Sequence, residues 1–68
     1  MFEERLVLAG GFVLEARILD DREYVLSLSK GKTLLVEYRN SSGYAFKSVE
    51  KLRYDFQRDA EDALRQAR

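Results

Sequence analysis

Residues 23–39 read EYVLSLSKGKTLLVEYR and decide the fold. Two runs rich in Val, Leu and Tyr, residues 24–29 and 32–39, flank the pair Lys30-Gly31. Two such runs separated by a short break that contains Gly are typical of a β-hairpin. The stretch therefore predicts the central hairpin of an antiparallel sheet, with its reversal at Lys30-Gly31.

Further strands are expected on both sides of this hairpin. Gly10-Gly11 stands between two apolar runs and indicates a hairpin with a two-residue loop. A short helix over residues 2–9, capped by Gly10, is the other interpretation of the N-terminal run, and we favour the strand. The remaining β-region predictions are a strand over 12–19, a charged turn at 20–23, a loop at 40–43 and a short last strand at 44–47.

The hydrophobic period changes after Ser48. From there apolar residues recur at about 100° per residue, which is the pattern of an amphipathic helix. Ser48 occupies the N-cap position, Glu50 lies in the first turn, and Arg65 and Arg68 lie near the end, where their charges favour the helix dipole. The apolar stripe consists of Val49, Leu52, Phe56, Ala60, Ala63, Leu64 and Ala67.

Together these patterns predict a single α+β domain over residues 1–68. Its expected architecture is a four- to five-stranded antiparallel β-meander over residues 1–47, followed by one C-terminal amphipathic helix over residues 48–68.

Two-residue loops at both hairpins would place apolar residues on both faces of the sheet. One helix covers one face only, and an antiparallel sheet left open to water normally alternates apolar and polar residues. We therefore expect the second face to be closed, either by a homodimer, which we favour, or by curling of the sheet into a small barrel. In the first hairpin, one face is expected to carry Leu6, Leu8 and Val13, and the opposite face Val7, Phe12, Leu14, Ala16 and Ile18. In the central hairpin, one face is expected to carry Val25, Leu34, Val36 and Tyr38, and the opposite face Tyr24, Leu26, Leu28 and Leu35.

Composition limits the ways in which so short a chain gains stability. A domain of 68 residues buries a small core. The sequence has no Cys for a disulfide and neither Cys nor His for a zinc site, so self-association is the expected source of further buried surface. No apolar run reaches the roughly 20 residues of a membrane span, and no signal peptide is evident, which indicates a cytoplasmic protein with no membrane contact.

The absence of His and Cys also removes the commonest general base, metal ligand and thiol nucleophile. We expect no catalytic residue, cofactor or metal, and interpret the chain as a non-enzymatic binding module, an adaptor or regulator acting through protein–protein contacts. Tyr54 lies on the charged side of the helix between Lys51 and Arg58, in line with Arg65. Tyr and Arg are common anchors at interfaces, so these four residues are the predicted contacts for an unidentified protein partner.

Single-stranded nucleic acid is the alternative partner. Residues 29–53 contain six Lys or Arg against two Glu. Aromatic side chains for base stacking, interleaved with Lys and Arg for phosphates, are how several small domains hold single strands. The sequence pI of about 6.2 argues against this function, because dedicated binders are usually basic. The candidate residues are Lys30, Lys32, Arg39, Tyr44, Phe46 and Lys47.

Part of the chain resembles the KTSC domain, a small family in which a hairpin of the type T-L-x-V-x-F-x-x-G-x-x-Y-x-Y-x-x-V-P runs into a helix that bears Tyr and Ala. The similarity covers residues 33–60 and departs at three points. Glu50 stands in place of the Pro, Ser41 stands in place of the Gly, and the Ser-Lys-Gly run that follows the Ala in the family is missing. The resemblance implies a hairpin followed by a helix and identifies no site residue. The matching positions are residues 33–40, Tyr44, Phe46, Val49, Tyr54 and Ala60.

Overall fold

A computed structural model describes residues 2–40 and 43–67. It contains a four-stranded antiparallel sheet followed by one helix, which confirms the predicted α+β architecture. The strands follow one another across the sheet in the order β1-β2-β3-β4. The elements are β1 (Phe2–Leu8), β2 (Phe12–Asp20), β3 (Glu23–Lys30), β4 (Thr33–Arg39) and α1 (Val49–Gln66).

Two local predictions are wrong, and a few residues of the predicted elements lie outside the described part of the chain. Residues 2–8 form a strand, so the helical alternative for residues 2–9 is wrong. The predicted strand over residues 44–47 is also wrong, because those residues have no regular structure and run from β4 to the helix. Ser41 and Ser42 of the predicted loop 40–43 lie outside the described residues. So do Arg68 of the predicted helix 48–68 and Met1.

The loop between β1 and β2 has three residues, not the two predicted. Leu8 pairs with Phe12, so Ala9 joins Gly10 and Gly11 in the reversal. Gly10 and Gly11 have φ of 88° and 82°, values that favour glycine. A Cβ on Gly10 would also lie 3.3 Å from Cε2 of Phe12. The extra residue shifts the register by one, and a shift of one residue moves every side chain of a strand to the opposite face.

The hairpin of β3 and β4 also differs from the prediction. Lys30 pairs with Thr33, so the reversal is Gly31-Lys32 rather than Lys30-Gly31. A β-bulge at Leu35 then brings Val36 opposite Leu28 and Tyr38 opposite Leu26. The bulge adds one residue to one strand, and it therefore places Val36 and Tyr38 on the same face as the buried side chains of β3.

With these registers only one face of the sheet is apolar, and the prediction of two apolar faces is wrong. We call the face against α1 the inner face and the other the open face. On the open face charged and polar side chains alternate with a few apolar ones, which is the usual pattern of a solvated antiparallel sheet. Its residues are Glu3, Arg5, Val7, Val13, Glu15, Arg17, Val25, Ser27, Ser29, Leu34, Glu37 and Arg39.

Helix α1 begins after Ser48, whose Oγ accepts a hydrogen bond from the Lys51 backbone N–H at 3.1 Å. This is the predicted N-cap. Leu52, Phe56 and Ala60 recur every four residues and are buried against the inner face, which confirms the centre of the predicted stripe. Ala63 and Leu64 are partly buried, whereas Val49 and Ala67 are exposed. The core of the domain consists of Phe12, Ala16, Ile18, Tyr24, Leu26, Leu28, Leu52, Phe56 and Ala60.

The sheet stays open within the described residues. β1 and β4 are its two outer strands and do not pair with each other, so the alternative of a self-closed barrel is wrong. The four strands span roughly 19 Å, whereas a helix with its side chains is about 10 Å across. One helix therefore covers only about half of the inner face.

Candidate protein-binding surface

The uncovered half of the inner face forms a groove beside the helix. Helix α1 packs closest to β4, at one side of the sheet. Between the helix and strands β1 and β2 lies an apolar groove of about 440 Å³. Its floor and walls are apolar, and its rim is polar. The lining residues are Glu4, Leu6, Leu8, Leu14, Ala16, Leu26, Arg53, Phe56, Gln57, Ala60, Glu61 and Leu64.

Strand β1 contributes the outer wall of this groove and leaves apolar area exposed there. Leu6 points into the groove and is 44 % exposed. Leu8, on the same side of the strand, is half-buried. Phe2 lies on the same side of β1, and the Arg53 guanidinium stands 4.1 Å from the centre of its ring. This contact joins the helix to β1.

The outer edge of β1 is the second feature of this region. β2 pairs with one side of β1 over seven consecutive residue pairs. No strand of the described residues pairs with the other side. An edge strand of this kind presents unpaired backbone N–H and C=O groups that a further strand can bind. We call this free edge, together with the adjacent groove, the β1 surface.

Two ion pairs stand on the open face directly behind the β1 surface. Nε of Arg17 lies 3.4 Å from Oε2 of Glu3, and Nε of Arg5 lies 3.9 Å from Oε1 of Glu15. All four side chains are more than half exposed. Pairs this exposed contribute little to stability, about 0–1 kcal/mol each. Their importance is that they give the edge an alternating pattern of charge.

Sequence reasoning did not identify the β1 surface. The groove exists only because Leu6, Leu8 and Leu14 share a face, and a two-residue loop would have separated Leu6 and Leu8 from Leu14. The available signal was charge: the three-residue loop places Glu3 opposite Arg17 and Arg5 opposite Glu15, whereas the two-residue loop would join only Glu4 and Arg17. Opposite charges across a strand pair favour the register that joins them.

The predicted protein contacts lie on the far side of the helix. Tyr54 is 64 % exposed, and the Arg58 guanidinium lies 5.9 Å from the centre of its ring. Nζ of Lys51 is 3.1 Å from Oδ2 of Asp55, and Nη2 of Arg58 is 4.0 Å from the other carboxylate oxygen, Oδ1. Arg65 pairs with Asp62 one turn from the helix end. The structure thus brings Lys51 and Arg58 to Asp55, places Tyr54 beside Arg58, and leaves Arg65 apart from them.

Asp55 is the one buried charged residue among the residues described, and it is held by several donors. The Tyr44 hydroxyl donates a hydrogen bond to its Oδ2 at 2.7 Å, and Lys51 Nζ donates another at 3.1 Å. The hydrogen bond from Tyr44, followed by that from Lys51, lowers the pKa of the Asp55 carboxyl below its usual value. This carboxylate therefore joins the segment after β4 to the helix.

A second tyrosine makes a similar link. The Tyr38 hydroxyl donates a hydrogen bond to Asp59. Burial, assisted by that hydrogen bond, raises the pKa of Tyr38 to about 12. Burial and the hydrogen bond to Asp55 raise the pKa of Tyr44 to about 12 as well. The two rings are 5.1 Å apart between centres, so both tyrosines form one contact between β4, the following segment and α1.

The residues considered for nucleic-acid binding do not form a platform of free aromatic faces. The Tyr44 ring contacts Tyr38, and the Phe46 ring is 5.7 Å from that of Tyr24. Lys30 Nζ lies 5.1 Å from the centre of the Phe12 ring, and Arg39 pairs with Glu37 at 3.3 Å. Lys32 and Lys47 are exposed. The aromatic members thus take part in internal contacts.

Comparisons with known proteins add no functional information. No family model matches the chain, and no curated protein sequence or solved structure is significantly similar to it. Over residues 2–40 and 43–67, no helix is both long and apolar enough to cross a membrane, and no three potential metal ligands of the Asp, Glu, His or Cys type are grouped together. The resemblance of residues 33–60 to the KTSC domain stays a prediction.

Proposed function

We propose that this chain is a small non-enzymatic binding module, an adaptor or regulator, that acts through protein–protein contacts and forms a homodimer. The observation that carries the proposal is the β1 surface: an unpaired strand edge beside a groove with an apolar floor. Addition of a strand to such an edge is a recurring mode of protein recognition, in which backbone hydrogen bonds supply affinity and adjacent side-chain sites supply specificity.

A second copy of the chain is the occupant that we propose for this edge. At 68 residues the domain belongs to a size class that commonly relies on added contacts for stability. Self-pairing would place apolar side chains of the second copy beside Leu6, now 44 % exposed, and would satisfy backbone groups along β1. A second apolar face was one reason to expect a dimer, and the structure has no such face. The β1 surface provides a different reason to expect one.

Tyr54 supports a separate contact with another protein. It is a large aromatic side chain, mostly exposed, with Arg58 beside it. The hollow between Tyr54, Gln57, Arg58 and Glu61 shares Gln57 and Glu61 with the rim of the groove, so the two regions are continuous along the helix. We assign Tyr54, with Lys51 and Arg58, to the partner contact. Arg65 is assigned to its margin.

The cytoplasm is the compartment that we propose for this activity. The sequence contains no cysteine and therefore makes no use of an oxidising environment. Such a protein is compatible with the reducing conditions in which adaptors and regulators of other intracellular proteins act.

Sedimentation equilibrium tests the homodimer and its location together. Leu6 and Val7 are neighbours on β1 and are both exposed, but Leu6 faces the groove and Val7 faces the open side. We expect the wild type to be dimeric at micromolar concentration, Leu6→Lys to be largely monomeric, and Val7→Lys to remain dimeric. A wild type that stays monomeric throughout this range would contradict the homodimer. Dissociation by Val7→Lys alone would place the interface on the open face.

The partner contact requires a comparison of immobilised variants. Proteins from the source cells that are retained by the wild type and lost with Tyr54→Ala would identify a partner of the helix surface. Lys47→Ala, an exposed substitution away from that surface, is the control. In parallel, labelled single-stranded DNA and RNA are titrated and followed by anisotropy at low salt. Tight, salt-sensitive binding that is lost with Lys30→Ala and Lys32→Ala, with no protein dependent on Tyr54, would favour the nucleic-acid function instead.

A further inference from the structure

We propose that two copies of this chain pair through the free edges of β1, antiparallel and with the twofold axis at Glu4, so that their sheets join into one eight-stranded sheet. This inference rests on the proposed homodimer and specifies its interface. Four observations support it: the regularity of β1, the alternation of its faces, the charges on its open side and the apolar residues on its inner side.

The two outer strands of the sheet are not equally suited to pairing. β1 pairs with β2 from Phe2 to Leu8 without interruption, and it contains neither Pro nor Gly. β4 carries the bulge at Leu35, which disturbs the backbone in the middle of the strand. Bulges are one of the devices by which natural sheets prevent pairing at an edge, and a straight, regular edge is the better template. The free edge of β1 is therefore the one that we assign to the interface.

The faces of β1 restrict the possible registers. Residues directly opposite each other in an antiparallel pair point to the same face of the sheet. Two copies related by a twofold axis must therefore place a residue of β1 opposite itself. Within the middle of β1 this leaves three arrangements, with the axis at Glu4, at Arg5 or at Leu6.

Charge distinguishes these three arrangements. With the axis at Glu4, Glu3 lies opposite Arg5 of the second copy, and the symmetric contact repeats the pair. With the axis at Arg5, the two Arg5 side chains face each other and Glu3 lies opposite Val7. With the axis at Leu6, Arg5 lies opposite Val7. Only the first arrangement places opposite charges directly across the interface, at two symmetric contacts. It also places Glu4 opposite Glu4 at the axis, and like charges directly opposite are destabilising, so its one like-charge contact is set against two contacts between opposite charges.

The ion pairs already present within each copy extend this pattern. Arg17 pairs with Glu3, and Arg5 pairs with Glu15, on the open face. With the axis at Glu4, each open-face row across the joined sheet therefore reads Arg17, Glu3, then Arg5 and Glu15 of the second copy. The four charges alternate in sign, and the twofold axis generates the row twice. A network of this kind is more favourable than an isolated surface pair.

The inner face supplies the apolar part of the interface. In this register Phe2 lies opposite Leu6 of the second copy, and the inner-face row reads Ile18, Phe2, then Leu6 and Leu14 of the second copy. Leu6 thereby gains an apolar neighbour across the interface. The cost is one contact between the two Glu4 side chains at the axis. Arg53, which lines the same groove as Glu4, provides a positive charge on that side in each copy.

Cysteine scanning measures the register directly, because the natural chain has no cysteine. Glu4→Cys, Arg5→Cys and Leu6→Cys each introduce a single thiol on β1. Opposed Cα atoms in an antiparallel pair are about 4.5–5.5 Å apart, within the range of a disulfide. With the axis at Glu4, the two copies of residue 5 are about 8 Å apart and those of residue 6 about 14 Å apart, beyond that range.

We expect Glu4→Cys to form a disulfide-linked dimer much faster than Arg5→Cys or Leu6→Cys under the same mild oxidant and protein concentration. Fastest cross-linking at residue 5 or residue 6 would overturn the proposed register. If none of the three cross-links while sedimentation shows a dimer, the interface is elsewhere and the inference fails, although the homodimer stands. If sedimentation shows a monomer, the homodimer itself fails.

A charge variant provides a second measurement that does not depend on cysteine. Arg5→Glu places Glu against Glu3 of the second copy at both symmetric contacts, and we expect the dimer dissociation constant to rise about tenfold. Glu15→Gln is the control: it removes the same intrachain ion pair with Arg5, but Glu15 lies on β2, one strand away from the interface. An equal effect of both substitutions, or none of Arg5→Glu, would overturn the assignment of the charged row.

Discussion

Replacement of Leu52 by Ala tests the packing of the helix on the inner face, on which the groove depends. Leu52 is 0 % exposed and lies one turn after the N-cap Ser48. Removal of a fully buried Leu side chain costs its transfer free energy and leaves a cavity, about 2.7–5 kcal/mol in total. A chain of 68 residues has a free energy of unfolding of about 3–10 kcal/mol. Leu52→Ala is therefore expected to remove about a quarter or more of the stability.

Urea unfolding followed by circular dichroism measures this change. With a slope of about 1 kcal/mol per molar urea for so small a domain, the midpoint should fall by about 3–5 M. Leu34→Ala, on the open face and 53 % exposed, is the matched control and should shift the midpoint by no more than about 0.5 M. All samples are compared at one protein concentration, since dimerisation adds to apparent stability.

Leu52→Met covers the possibility that the Ala variant does not fold, because it conserves volume and should cost less than about 1.5 kcal/mol. The expected order of midpoints is then wild type, Leu52→Met and Leu52→Ala. A midpoint for Leu52→Ala no lower than that of Leu34→Ala would show that the helix does not pack on the sheet as described. The groove between the helix and strands β1 and β2 would then not exist as described.

Two further predictions concern the links that hold the helix. The free energy of unfolding should decline at both ends of the pH range. The pKa of Asp55 is lowered in the folded state, so the stability that this carboxylate contributes is present above its ordinary pKa and is lost on acidification below about pH 4. The pKa values of Tyr38 and Tyr44 are raised to about 12 each, so the stability that these hydroxyls contribute is present below about pH 10 and is lost between about pH 10 and about pH 12. Urea midpoints across this range test both signs, and the alkaline loss should diminish in a Tyr38→Phe, Tyr44→Phe variant. Ser48→Ala removes the acceptor of the Lys51 N–H and should lower the free energy of unfolding by about 1 kcal/mol, with Ser48→Asp retaining most of it; equal losses in both variants would contradict a capping role.

The elements of the fold were predictable because each depends on local pattern. The 3.6-residue period of Leu52, Phe56 and Ala60, preceded by Ser48, defines a helix with its N-cap, and the structure has both. The β-rich runs likewise became strands within a few residues of the expected bounds. The last short run, residues 44–47, did not form a strand. Tyr44 and Phe46 instead contact Asp55 and Tyr24, so side-chain contacts outweighed β propensity there.

The assignment of faces was not predictable from the same patterns, because it depends on single residues at reversals. Gly10-Gly11 is compatible with a loop of two or three residues, and the two choices place Leu6 on opposite faces relative to β2. The bulge at Leu35 has the same effect on β4, and the run of Leu34, Leu35 and Val36 gives no indication of which residue is extra. The β1 surface exists only in these registers, so it could not be predicted from the sequence while the registers were unknown.

The two parts of the proposed function are connected by geometry. In the proposed dimer the paired β1 strands do not seal the grooves; they bring the two grooves side by side over the strands β2 and β1 of each copy. Four strands span roughly 19 Å, so the joined grooves would form one wide trough between two helices, apolar on either side of the two Glu4 side chains at its centre. The rim residues Gln57 and Glu61 connect this trough to Tyr54 on each helix. Self-association and partner binding would then not compete for the same surface, because the first would assemble the site used by the second.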